Sequence, residues 1–174
     1  RYTAPVESLR TEYVYPQEAG ARADVRWAAL HGAGAGAAGD GASPGAHAAG
    51  GDAAAGGLLM VALPRHTSSP ALPTSDSMYV TVSRYSVEAV HMAGHPHDLA
   101  PEPDGAVHVH LDALHMGVGG DDSWSPSVHD EYLVPPRGYH LALALAPLGA
   151  TAAADAPAAG AAAAALRCGV GRMY

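Results

Sequence analysis

The stretch Ala106-Val107-His108-Val109-His110-Leu111-Asp112-Ala113-Leu114 alternates with a period of two. Val107, Val109 and Leu111 fall on one face, and His108, His110 and Asp112 on the other. Successive side chains of an extended chain point to opposite sides, so this is the pattern of a half-buried β-strand. After His115-Met116 comes the run Gly117-Val118-Gly119-Gly120-Asp121-Asp122-Ser123-Trp124-Ser125-Pro126-Ser127-Val128. Its glycines admit a backbone with positive φ, and Asp121, Asp122 and Ser123 carry short oxygens that bond turn amides. Trp124 therefore stands on a tightly specified loop. An indole held there is either a core residue on a well-formed turn or a platform for the C–H face of a sugar.

Outward from this stretch the chain keeps the same grammar. Downstream lie residues 131–134, the turn Pro135-Pro136-Arg137-Gly138 and a strand over 139–145. Upstream, residues 78–85 set Tyr79, Thr81, Ser83 and Tyr85 against Val80 and Val82. Residues 87–93 read as a short helix, capped by Ser86 and carrying Glu88 in its first turn. Residues 58–63 form a strand ended by Pro64, and 23–30 a strand with Val25 and Trp27 on one face and Arg26 on the other. Residues 1–12 are an irregular or extended lead-in. Short strands between Pro/Gly turns, with almost no helical periodicity, predict an all-β antiparallel β-sandwich.

Two segments fall outside that pattern. Residues 31–57 are nearly all Gly, Ala, Asp, Ser, Pro and His, a composition that buries too little apolar surface to offset its ordering entropy. It is expected to be a disordered insertion at a hairpin position, where added length costs little. Residues 67–77 are a Pro/Ser loop. Residues 146–174 are alanine-rich and broken by Pro157 and Gly160, and they are expected to be a disordered tail. Within the tail, 161–166 has good helix propensity, but the segment is too short to be stable unless docked.

Composition limits the functional classes. A chain of 174 residues builds one core. Its formal net charge is −8, and its nine basic residues are arginines scattered along the sequence, so no basic patch exists to hold nucleic acid. No apolar run approaches the roughly 20 residues that span a bilayer. Cys168 is the single cysteine, which excludes an internal disulfide. The chain opens on Arg1 with no charged-then-apolar leader, which reads as a fragment of a soluble, cytoplasmic protein. Lys, Ile, Asn and Phe are absent, as a GC-rich coding sequence would impose.

Four motifs in order give a resemblance. Tyr15-Pro16-Gln17-Glu18-Ala19-Gly20, Asp24-Val25-Arg26-Trp27, Val82-Ser83-Arg84-Tyr85-Ser86 and the Gly117 to Val128 run resemble the C-terminal, small-chain β-sandwich domain of the family 2 β-galactosidases. The likeness covers residues about 13–30 and 78–145. It implies the final half of a supersandwich, a fold related to galactose mutarotases, over 1–145. It also implies a loop that reaches the mouth of a catalytic (β/α)₈ barrel and packs its tryptophan, here Trp124, on the substrate sugar. Gly119, Gly120, Asp121, Asp122 and Ser123 would shape that loop.

The same resemblance places the catalytic glutamates, with magnesium and sodium, in the barrel, which this chain lacks. The expected partners are a β-galactoside, the barrel-bearing remainder or large subunit, and further copies of the full enzyme. The chain alone is expected to be inactive, to bind no metal or other cofactor, and to touch neither nucleic acid nor membrane. Two other readings stay open: a stand-alone carbohydrate-binding module, and an inactive gene fragment.

The remaining chemical candidates have structural readings. Asp112, Asp121 and Asp122 invite a glycosidase pair, yet a retaining pair faces across about 5–5.5 Å, and adjacent carboxylates in a turn point apart. His108, His110 and Asp112 share a strand face and could offer metal ligands, with His91, His95 and His97 as a second loose group. Same-face neighbours on one strand sit nearly 7 Å apart, so a second strand would have to complete any site. Arg84 reads as a paired structural arginine, and the tyrosines on strands as cross-strand packing.

Overall fold

The computed structural model describes residues 4–14, 19–31, 56–64, 76–117, 119–122, 124–149 and 156–170. In chain order its elements are α1 (Val6–Leu9), β1 (Arg22–Val25), β2 (Trp27–His31), β3 (Gly57–Ala62), β4 (Met78–Ser83), α2 (Val87–Met92), β5 (His108–Asp112), β6 (Leu143–Leu148) and α3 (Ala156–Val170). Short 3-10 turns lie at Pro96–Asp98 and Asp130–Tyr132. The strands form two three-stranded sheets, ordered β1-β4-β5 and β2-β3-β6. Every pairing is antiparallel, so the chain is an all-β sandwich.

The two sheets share a core. Met60 and Ala62 of β3 meet Met78 and Val80 of β4, with Val82, Val109 and Leu111 from one sheet and Ala28, Leu30 and Leu143 from the other packed around them. The alternation of β5 is as its sequence requires: Val109 and Leu111 turn inward. α2 carries the expected cap, with Ser86 Oγ accepting a hydrogen bond from the Ala89 amide at 3.1 Å.

The strand expected over 23–30 is in fact two. β1 ends at Val25, Arg26 makes a bend, and β2 starts at Trp27 in the other sheet. Asp24 sits at φ 55°, in the left-handed region that short polar residues tolerate. Val25 and Trp27 therefore do not share a face. Val25 packs into the core between the sheets, and Trp27 packs on the outer side of the second sheet. The lead-in is also partly regular, since Val6–Leu9 makes one helical turn. Arg22 ties it down by donating to the carbonyls of Gly20 at 2.6 Å and Leu9 at 3.0 Å.

β3 is buried on both faces. Leu59 and Val61 are 0% exposed on one side, and Met60 and Ala62 are 2% and 0% exposed on the other. A strand that reads as a continuous apolar run belongs in such a place. The outer side is covered by α3, whose Ala159 and Ala163 are fully buried against Leu59, Val61 and Leu148. Four residues apart, they lie on one helix face, and their small side chains let the helix approach closely. Arg167 in the last turn donates to the Ala62 carbonyl and, at 2.9 Å, to that of Asp76.

This helix differs from the expected disordered tail over 146–174, and β6 itself runs to Leu148, beyond the boundary at 145. An alanine helix is unstable alone, but the apolar outer face of the sheet supplies the burial it lacks. The insertion over 31–57 does sit at a hairpin position, because its flanks pair as His31↔Gly57. Residues 32–55, 65–75 and 150–155 lie outside the described residues, as do Tyr15 to Glu18 of the first motif.

Candidate functional site

The segment between β5 and β6 carries the Trp124 loop. Its base is closed by two main-chain bonds, Gly117 N to Tyr132 O at 2.8 Å and His129 N to Gly119 O at 2.9 Å. Its tip is shaped by Asp122, whose Oδ1 accepts from the amides of Trp124 at 2.9 Å and Ser125 at 2.6 Å. Those donors, Ser125 first and then Trp124, hold the Asp122 carboxyl below its ordinary value of 3.8. Asp121 points elsewhere: its Oδ1 lies 2.9 Å from His129 Nε2. The expected turn-shaping roles of Asp121 and Asp122 are thus two different jobs. Ser123 lies outside the described residues, as does Val118.

The glycines are needed for a reason other than the expected positive φ. Among the described glycines the left-handed region is occupied at Gly20 and Gly105, not in this loop. Here the requirement is close approach. A Cβ on Gly117 would stand 2.8 Å from Tyr132 Cβ, one on Gly119 would overlap the Tyr132 ring, and one on Gly120 would stand 2.6 Å from the Ser127 carbonyl oxygen. Tyr132 packs against the first two glycines, and the His129 ring stacks on it at a centroid distance of 6.4 Å and an interplanar angle of 17°.

Trp124 is 88% exposed at the end of this construction. It is not a core residue; of the two tryptophans, Trp27 is the one packed against a core cluster. Burying an indole stabilises a protein by several kcal/mol at ~25 cal/mol per Å². The loop thus pins its main chain and leaves the ring in solvent.

Tyr132 and His129 brace the loop, which the sequence did not announce. Both act across the loop closure, and Tyr132, expected among the tyrosines on strands, lies in a 3-10 turn instead. The alternative candidates resolve otherwise. His108 Nε2 lies 3.3 Å from Glu102 Oε1 on the β5 edge, within ion-pair reach though not aligned as a hydrogen bond. His95 stacks on His97 at 5.2 Å. Among the described residues no group of three or more His, Cys, Asp or Glu is placed to hold a metal ion.

Arg84 is paired, as its sequence context suggests: Nε lies 3.0 Å from Glu7 Oε1, and Nη1 donates to Gly105 O at 2.6 Å. The Glu7 carboxyl is lowered chiefly by a backbone hydrogen bond, against the opposing effect of burial, with Arg84 adding to it. With Arg10, which lies over the Tyr85 ring at 4.9 Å, these residues line a cavity of about 200 Å³ that joins α1 to the end of β4. The contacts account for how the lead-in is held.

The class defined so far is an all-β sandwich with an exposed tryptophan on a braced loop. Residues 1–145 match the family described as β-galactosidase small chain, and the chain belongs to that family. It is 35% identical over 146 residues to the β-galactosidase of Psychromonas ingrahamii, an alignment covering 84% of this chain and 10% of that protein. With β-galactosidase 2 of Enterobacter cloacae it shares 33% over 137 residues, 79% of this chain and 9% of the relative. A shorter stretch of 63 residues, 36% of this chain and 6% of the relative, is 49% identical to the β-galactosidase of Pseudoalteromonas haloplanktis. The chain spans about a tenth of the length of the curated relatives it matches. α3 lies beyond the matched residues. Among the described residues no helix is long and apolar enough to cross a membrane.

Proposed function

We propose that this chain is the C-terminal segment or small subunit of a β-galactosidase that hydrolyses terminal non-reducing β-D-galactosides with retention. Its contribution is the Trp124 loop and structural support; the catalytic carboxylates belong to a barrel-bearing remainder or large subunit. The observation that carries this reading is the exposure of Trp124 at 88% on a loop whose main chain is braced from both sides. A galactose ring has one face of C–H groups, and an indole with a free face matches it.

The carboxylates fit a supporting role. Asp122 is occupied by two backbone amides and Asp121 by His129, so neither is poised across a cleft from the other as a retaining pair must be. The resemblance assigns magnesium and sodium to the barrel. In this reading they lie outside the chain. Oligomers of the full enzyme are part of the same proposal.

An indole that contacts a sugar in both ground and transition states contributes uniform binding, which appears in KM more than in kcat. The test is Trp124→Ala in enzyme reconstituted from this chain and a barrel-bearing partner. KM for a β-galactoside should rise roughly three- to tenfold with a smaller change in kcat. An unchanged KM overturns the assignment. Galactoside binding by this chain without a partner would instead favour a stand-alone carbohydrate-binding module.

A further inference from the structure

We propose that the cavity between α1 and the end of β4 is a binding site for a small neutral polyol, of the size and chemistry of one pyranose sugar. It stands independently of the Trp124 platform. The cavity measures about 200 Å³, and Glu7, Arg10, Glu12, Ser83, Arg84 and Tyr85 stand in its wall. At a liquid share of ~30 Å³ per water, that is space for roughly six or seven waters, or for one sugar ring in their place. Glu7 and Glu12 are exposed, so the space is open to solvent.

Several of the polar groups here are already engaged. Arg84 donates to Glu7 through Nε and to the Gly105 carbonyl through Nη1, and Ser83 Oγ accepts from the Tyr85 amide at 3.0 Å. Arg10 and Glu12 are not. Arg10 is seated over the Tyr85 ring, and its Nη2 is buried without a hydrogen-bond partner. Glu12 is exposed, and among the described residues no hydrogen bond or ion pair holds its carboxylate. A guanidinium has only donors, and buried donors are as a rule bonded, so the orphaned nitrogen marks the place of an absent oxygen. Stacking on Tyr85 fixes the guanidinium without using its N–H groups in hydrogen bonds.

Charge decides what brings that oxygen. The wall holds two guanidinium and two carboxylate groups, and Arg84 is paired with Glu7 at 3.0 Å. The pair that remains, Arg10 and Glu12, has no net charge either. An anion that suits Arg10 meets the Glu12 carboxylate, and a cation that suits Glu12 meets Arg10. A neutral ligand with neighbouring hydroxyls suits both, because a hydroxyl oxygen accepts from the guanidinium while an O–H donates to the carboxylate. The forked guanidinium reaches two oxygens at once, which adjacent hydroxyls of a pyranose supply. One ring held by a few hydrogen bonds in an open cavity binds weakly, with Kd on the order of 1–10 mM.

The experiment is a titration of the full, ¹⁵N-labelled chain with free glucose, followed by ¹H–¹⁵N NMR of the Tyr85 amide and the arginine Nε–H groups. Arg10→Lys identifies the Arg10 signal by its loss. The Arg10 and Tyr85 signals should move and saturate, and added salt should leave the midpoint unchanged because the ligand is neutral. Arg10→Ala, read from the Tyr85 amide, should weaken binding roughly tenfold with circular dichroism unchanged. Glu12→Gln alters an exposed side chain and should weaken it about threefold. Inorganic phosphate that displaces glucose, and binds more tightly to Glu12→Gln, makes the cavity an anion site and overturns the proposal. So does an Arg10 signal that ignores glucose, or a glucose response lost in Trp124→Ala and kept in Arg10→Ala. The KM assay of Trp124→Ala is separate, and either result there leaves this one standing.

Discussion

β3 and the Trp124 loop are opposite solutions to the problem of holding a segment still. Every side chain from Leu59 to Ala62 is at most 2% exposed, fixed by neighbours on both faces. Trp124 is 88% exposed, and its loop is fixed by a few directed bonds and by glycines that let Tyr132 lie against the main chain. Burial is non-directional and sums over many weak contacts, so it fixes β3 with a large margin. Hydrogen bonds at the surface each yield little net stability but fix geometry closely. The chain uses the first where a strand must only stay inside, and the second where one ring must sit in one place.

The contrast can be broken from either side. Leu59→Ala should have the largest effect, a loss of about 2–5 kcal/mol in a denaturant melt, because it removes a fully buried side chain between β3 and α3. The loop should keep its form in the variant that remains folded, read from Trp124 fluorescence. Gly119→Ala should cost less, about 1–3 kcal/mol by overpacking, and should act in the reverse sense. The new Cβ displaces Tyr132 and with it the His129 stack, so the Trp124 environment changes while the cooperativity of the melt does not.

The smallest effect is that of acid on the loop tip. Asp122 is lowered below 3.8 in the folded chain by the amides of Ser125 and Trp124. A carboxylate with a depressed folded value stabilises the fold above its unfolded pKa, and the contribution is lost as pH falls through the folded value. Loop order should therefore survive to pH 4 and decay below the ordinary carboxylate range. Asp122→Asn, which keeps an accepting oxygen without the titration, should flatten that decay in a Trp124 fluorescence titration.

What the sequence disclosed follows the same division. The continuous run through Leu59-Met60-Val61, the alternation through Val109 and Leu111 and the Ser86 cap are local patterns, and each predicts its element. The sheet change at Arg26 is invisible to alternation, because Val25-Arg26-Trp27 keeps period two while the backbone turns from one sheet to the other. α3 was hidden for a different reason. A helix made almost wholly of alanine has no contrast between its faces, and only the distant Leu59 and Val61 decide which face is buried. Asp121 and Asp122 are identical side by side in sequence, yet one meets His129 and the other the backbone of Trp124 and Ser125. The turn that carries Trp124 was legible through its motif, but the contacts that brace it across the loop were not.

The pairing of β3 with β6 also sets a timetable. Gly57 pairs with Leu148, more than half the chain away, so the most apolar strand is made long before the neighbour that completes its sheet. At a synthesis rate of 5–20 residues per second the interval is on the order of ten seconds. Throughout it β3 has β2 on one side and an open edge on the other, and α3 arrives later still to cover its outer face. An apolar strand with an open edge is a template for another chain. Nascent copies are thus most exposed to association and to chaperone capture in the window between residues 62 and 148, and closure of the sheet, a long-range event of the slow kind, ends that vulnerability.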